Sequence, residues 1–116
     1  MTVGSINAIT LAVSDMDRSV GFYESIGFRI EYRSPTFATF RIGEQALNLT
    51  GESPSSAGFW GRVIFYVDDV DRMYARVLEA GHQPETTPAN ATWSERYFHL
   101  DDPDGHQLSF ARPLGP

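Results

Sequence analysis

The chain has 116 residues, 41% of them hydrophobic and 13% aromatic, which suits one small globular domain, or two tightly joined half-domains, with a real core. Its formal net charge of −6 disfavours nucleic acid and anionic membrane as partners, since both reward a basic patch. Without cysteine there are no disulfides or thiolate metal sites. No apolar run approaches the ~20 residues of a membrane helix, and the opening residues show no leader pattern, so a cytoplasmic protein is expected.

Ile6 to Val13 alternates, with Ile9, Leu11 and Val13 on one face and Ile6, Ala8, Thr10 and Ala12 on the other, the pattern of a half-buried strand. Asp15 supplies a cap, and Val20, Phe22, Tyr23 and Ile26 recur at helical spacing up to Gly27, a natural stop. Phe28 to Tyr32, Thr36 to Ile42 and Ala46 to Thr50 read as three strands separated by Ser34-Pro35 and Gly43-Glu44 turns. Residues 52–60 read as a linker. Arg62 to Val67 is then a strand with Val63, Phe65 and Val67 on its core face. Asp68 or Asp69 caps a helix striped by Val70, Met73, Tyr74, Val77 and Leu78 and ended by Gly81. His82 to Thr86 is expected as a short strand and Pro88 to Trp93 as a loop. Glu95 to Leu100 and Gln107 to Ala111 form a hairpin across Asp102-Pro103-Asp104-Gly105, a strong turn sequence.

The two halves repeat each other. Val13-Ser14-Asp15-Met16-Asp17-Arg18 returns as Val67-Asp68-Asp69-Val70-Asp71-Arg72, and the same shift of 54 residues carries Gly27 onto Gly81. The expected fold is α+β: βαβββ twice, in a single domain over 1–116. Module one covers about 4–51 and module two about 61–113.

This ordered set resembles the vicinal oxygen chelate superfamily of glyoxalases, extradiol dioxygenases, and fosfomycin- and bleomycin-resistance proteins. The resemblance covers essentially the whole chain. Its carriers are Leu11 through Tyr23 with Ile26-Gly27-Phe28, then Val67 through Arg72, Trp93, and Asp102-Pro103-Asp104-Gly105 leading into a last strand. It implies paired ferredoxin-like repeats, each an incomplete barrel, that together form a U-shaped cavity, often in a dimer. A homodimer is expected, because an uncovered half-barrel exposes its edge and cavity.

The metal-dependent members of that superfamily place ligands at four points, which fall here on Ala8, Asn48, Arg62 and Ser109. Ala8 offers no lone pair, Arg62 brings a fixed positive charge, and Asn48 and Ser109 are weak neutral oxygens. No metal and no cofactor are therefore expected, and the resemblance does not carry over the activities that depend on one. His99, Ser109 and Asp101 make no catalytic triad, since no strand-to-helix elbow or oxyanion hole accompanies them.

Strand parity assigns the cavity wall. With Ile9, Leu11, Val63, Phe65, Leu108 and Phe110 packed on the helices, the opposite faces carry Phe37, Thr39 and Arg41 with Asn48 in module one. In module two they carry Arg62, Tyr66, Tyr97, His99 and Ser109. Trp93, with Phe59 and Trp60, belongs to a lid over a flat ligand or to the packing between the halves. Arg62 either stands at the cavity centre as the main polar contact or folds back onto Glu95. These ten positions, Trp93 included, form the expected ligand-binding set, with no catalytic residue among them. Aromatic faces with a few polar groups suit a planar organic ligand. The expected function is binding and sequestration of a small aromatic molecule, antibiotics among the candidates, as in bleomycin-resistance proteins. The alternative is a metal-dependent glyoxalase-like lyase or extradiol-dioxygenase-like enzyme using displaced ligands such as His99, Gln107 and Asn48.

Overall fold

The structure, a computed structural model, describes residues 2–51 and 62–115. These form two compact units, one on each side of the remaining stretch. The expected linker at 52–60, with Phe59 and Trp60, lies outside the described residues.

The first unit runs β1 (Ala8–Ala12), α1 (Met16–Ser25), β2 (Arg29–Arg33), β3 (Phe37–Ile42) and β4 (Gln45–Thr50). Its four-stranded sheet has the order β1-β4-β3-β2, with β1 parallel to β4 and the other pairs antiparallel. Asp15 starts α1 from an extended backbone, and its carboxylate accepts the Arg18 N–H at 3.1 Å, satisfying one of the helix's orphan donors. Gly27 ends the turn at φ 104°, a left-handed conformation that suits glycine alone, while the Phe28 N–H returns to the Tyr23 carbonyl. The helix covers one sheet face, where Leu11, Ala38, Phe40, Leu47 and Leu49 are buried. Tyr23 anchors this layer, its ring 5.1 Å from Phe28 and 5.5 Å from Phe40.

The second unit runs β5 (Arg62–Tyr66), α2 (Val70–Glu79), β6 (Ala89–Asn90), β7 (Glu95–Asp101) and β8 (Gln107–Pro113). The strand order is β5-β8-β7-β6, again with the first strand parallel to its neighbour. The sequence repeat is a structural one: adding 54 to the limits of β1 and α1 gives those of β5 and α2. The cap is Asp69, accepting the Arg72 N–H at 3.0 Å, and Gly81 sits at φ 89°. Val63, Val70, Val77, Phe98, Leu100, Leu108 and Phe110 are buried, with the Phe98 ring 5.3 Å from Tyr74 and 5.4 Å from Phe110. Leu78, expected on the buried stripe, is 46% exposed.

Past Gly81 the repeat fades. His82 to Thr86 is not a strand, because Pro84 has no N–H to give a ladder. The segment is pinned to β7 differently: the Glu85 N–H donates to the His99 carbonyl, and Thr86 Oγ1 accepts the His99 N–H, both at 2.9 Å. Ladder pairing resumes at Ala89 and Asn90, inside the segment expected as a loop, opposite Tyr97 and Arg96. The first strand also opens at Ala8 rather than Ile6, which is 67% exposed.

Candidate functional site

Each sheet has its helix on one face, so the other face carries the opposite strand parity and its chemistry. In the first unit that face is small and closed on itself. Asn48 lies between Thr10 and Thr39 in register, its Oδ1 accepting from Thr39 Oγ1 at 2.8 Å and its Nδ2 donating to Thr10 Oγ1 at 3.3 Å. Arg41 is committed elsewhere. Its Nε and Nη2 donate to the Glu31 carboxylate at 3.2 and 2.7 Å, and its Nη1 to the Gln45 carbonyl at 3.2 Å. A register irregularity between Ile30 and Tyr32 sets Glu31 there. The hydrogen bonds from Arg41, with its charge, hold the Glu31 carboxyl below its ordinary pKa. Phe37 is half-buried near the start of β3.

The second unit's open face is built in three rows across β5, β8 and β7: Arg62, Gln107 and Asp101; Ile64, Ser109 and His99; Tyr66, Ala111 and Tyr97. The first row is a polar relay. Arg62 Nε donates to Gln107 Oε1 at 2.6 Å, and Gln107 Nε2 donates to Glu85 Oε2 at 3.0 Å. Glu85 in turn hydrogen-bonds Asp101. Burial, then that bond and the Glu85 charge, push the Asp101 carboxyl up to about 6. The middle row is tighter: Ser109 is buried beside half-buried His99. Desolvation pushes the His99 imidazole down, the nearby Arg62 charge adds to this, and Glu85 opposes it.

The third row is aromatic. Tyr66 is 62% exposed and Trp93 63%, with Ile64 exposed beside them. The Trp93 ring lies 5.7 Å from Tyr97, and Tyr97 lies 5.0 Å from His99, so the three make a continuous strip. Glu95 closes it: its carboxylate accepts from the Tyr66 hydroxyl and, at 3.0 Å, from Trp93 Nε1. That hydrogen bond pushes the Tyr66 phenol up from its ordinary pKa.

Of the expected set, Arg62, Tyr66, Tyr97, His99 and Ser109 thus share one sheet face with Trp93 beside them, while Phe37, Thr39, Arg41 and Asn48 lie in the other unit. The Arg62 guanidinium donates to Gln107 in the neighbouring strand. Sequence reasoning gave no role to Glu85, Asp101 and Gln107 as the relay that carries Arg62. The Asp101 and Gln107 part follows from strand parity, whereas Glu85 sits in the segment mistaken for a strand. Two shallow hollows border the helix caps, one among Val67, Asp69, Arg72 and Arg76 and the other among Ser14, Asp15 and Arg33. They lie at the helix starts, away from these faces.

A divalent metal does not fit the residues at the four positions where the resemblance puts ligands. Ala8 has no donor atom, Asn48 is held by two threonines, Arg62 is a cation, and Ser109 offers a single buried hydroxyl. Among the described residues no group of three or more His, Cys, Asp or Glu could hold a metal ion.

Residues 5–110 match the Glyoxalase/Bleomycin resistance protein/Dioxygenase superfamily. The chain is 27% identical to metallothiol transferase FosB of Lysinibacillus sphaericus, over 95% of this chain and 83% of that one. It is 26% identical to the bleomycin resistance protein of Geobacillus stearothermophilus, over 90% and 93%. Among solved structures, TioX from Micromonospora sp. ML1 superposes with a TM-score of 0.79 at 28% identity, over 96% of this chain and all (100%) of that one. A glyoxalase family protein from Bacillus anthracis superposes at 0.82 with 18% identity, a likeness of fold.

Proposed function

We propose that this chain, which belongs to the glyoxalase/bleomycin resistance protein/dioxygenase superfamily, binds and sequesters a small planar organic molecule without metal and without transforming it. The observation that carries this reading is the helix-free face of the second unit. There a strip of exposed Tyr66 and Trp93 with half-buried Tyr97 runs towards Arg62, whose guanidinium is set by Gln107. Stacking holds a flat ligand, and the guanidinium orients it through a carboxylate, phenolate or carbonyl, the electrostatic role a cation plays in metal-dependent relatives. The similarity to bleomycin resistance proteins puts antibiotics among the candidate ligands.

The competing reading is a metal-dependent enzyme that recruits His99, Gln107 and Asn48. The similarity to a metallothiol transferase favours it. Against it, Gln107 bridges Arg62 and Glu85, and Asn48 bridges two threonines in the other unit. Metal analysis of protein purified without chelator separates the two: a stable equivalent of one metal per chain rejects the binder. The ligand reading is tested by titrating 2-naphthoate against tryptophan fluorescence. Arg62→Ala weakens its binding by roughly 1.5–3 kcal/mol, the range for hydrogen bonds to a charged group, while the melting temperature holds. Unchanged affinity with a large drop in melting temperature makes Arg62 structural and rejects the site. We also propose a homodimer, which light scattering at micromolar concentration checks against a 13.0 kDa monomer.

A further inference from the structure

We propose that Glu95, framed by Tyr66, Trp93 and Tyr97, is a binding site for an organic ammonium group. The ligand of this face is then a flat molecule with an acid or carbonyl at one end and a quaternary or protonated amine at the other. This rests on the helix-free face being the ligand surface and adds the chemistry of its far end.

A carboxylate accepts about four hydrogen bonds and gains most from a cation. Glu95 has two described donors, both neutral: the Tyr66 hydroxyl and Trp93 Nε1. Ion pairs join Arg33 to Asp17, Arg41 to Glu31 and Arg96 to Asp71. Arg96, next to Glu95 in sequence, sits on the opposite strand parity and gives Nε and Nη2 to Asp71, both at 2.9 Å. The strand thus sends its cation to one face and leaves its acid on the other, among aromatic rings.

Those rings are disposed to help. The Trp93 indole spends its N–H edge on Glu95 while its ring, 63% exposed, lies tilted 31° from Tyr97. An ammonium beside Glu95 would rest against aromatic faces and a carboxylate at once, combining cation–π attraction with an ion pair. The net charge of −6 favours such a ligand over the whole surface. The register sets its length. Tyr66 follows Arg62 by four positions along β5, so the two ends stand ~13 Å apart at ~3.3 Å per residue. The Ile64, Ser109 and His99 row lies between them.

The test uses the full chain and a matched pair of probes, phenyltrimethylammonium and its neutral counterpart of the same shape, tert-butylbenzene. Expected is binding of the ammonium about tenfold or more tighter than the neutral compound. Glu95→Gln keeps the shape and one of the two acceptor oxygens but removes the charge, and is expected to abolish that preference. If the variant fails to fold, the probe pair on the unaltered chain still decides. Equal affinities, or an ammonium affinity unmoved within about twofold by Glu95→Gln, overturn the proposal. Binding of 2-naphthoate by the unaltered chain reads the Arg62 end separately: naphthoate bound without ammonium preference sinks the Glu95 site and leaves the proposed function standing. If neither probe binds and Trp93→Ala converts a dimer to monomer, a second copy occupies the face and both readings fall.

Discussion

The two units share a backbone and divide the chemistry. Adding 54 to Ala8, Thr10 and Ala12 on β1 gives Arg62, Ile64 and Tyr66 on β5, so three small side chains of one strand correspond to three large ones of its counterpart. The helices trade in the other direction, Tyr23 of α1 standing where α2 has Val77. In the first unit the large aromatic is inside, packed on Phe28 and Phe40, and the open face is a short network of Thr10, Thr39 and Asn48. In the second the open face holds the exposed rings. The positions kept in common are those the backbone needs: the caps Asp15 and Asp69, and the left-handed Gly27 and Gly81. A duplicated scaffold keeps its capping chemistry and is free to diverge where side chains face outwards.

The sharpest way to break this comparison is to cut both cores at the equivalent helix position. Tyr23 and Val77 are both fully buried. Removing Tyr23 deletes an aromatic ring that contacts Phe22, Phe28 and Phe40. Tyr23→Ala is expected to cost ~3–5 kcal/mol, as for other buried aromatics. Val77→Ala removes less surface and should cost at most ~1.5–3 kcal/mol. Urea denaturation of both variants checks this; equal losses mean that the first unit's core is not the more heavily anchored.

On the open faces, Arg62→Ala makes β5 resemble β1 at its first position, Ala8. The expected loss is the roughly 1.5–3 kcal/mol of 2-naphthoate binding given above. The reciprocal change, Ala8→Arg, supplies a guanidinium without the partners corresponding to Gln107 and Glu85. It is expected to add less than a tenth of the binding that Arg62 supports, and recovery in an Ala8→Arg/Arg62→Ala double variant would show that the relay is dispensable.

A smaller effect should be the same in both units. Asp15 and Asp69 start their helices with nearly identical backbone angles, φ −141° and −144°, and make the same bond to the residue three positions on. Asp15→Ala and Asp69→Ala are each expected to cost ~1 kcal/mol by thermal melting. A cap that proves silent in one unit alone would show that its helix is held by tertiary packing.

The legible part of the fold was the part set by short-range chemistry. The Asp caps, the glycine stops and strand alternation placed both helices and most strands to within a residue or two, and parity sorted buried from open faces. The failures arose where pairing is decided across the sheet. Pro84 stops the ladder that His82 to Thr86 looked ready to form, and the bonds with His99 replace it. Ala89 and Asn90 have no strand signature, yet they pair because β7 offers them an edge. At the site, the residue types were readable but their commitments were not. Arg41 and Arg62 look alike in sequence; one is clamped by a carboxylate at a register irregularity, the other by a neutral amide in the next strand.

Titration should separate Asp101 of the second unit from Glu31 of the first by sign. In the second, Asp101 has its carboxyl raised from an ordinary 3.8 to about 6, so between those values the folded chain holds a proton that the unfolded chain has released. Its contribution is therefore greatest below pH 3.8, falls as pH rises to about 6, and is constant beyond. His99, lowered from 6.5, acts oppositely just below that value: the unfolded chain takes up a proton that the folded one resists, so stability is lost as pH falls. In the first unit Glu31 is lowered from 4.5 by Arg41, and its contribution, present above that value, is lost as pH falls through the depressed pKa. Asp101→Asn removes only the first of these effects. Urea midpoints between pH 4 and 8 should show the variant gaining on the unaltered chain up to about pH 6 and holding a constant difference above it. Glu31→Gln should show the reverse, losing its disadvantage as the solution is made more acidic than 4.5. Parallel curves for Asp101→Asn and the unaltered chain across that range would mean that Asp101 and Glu85 do not share a proton in the folded protein, and that Gln107 is held by an ionised pair.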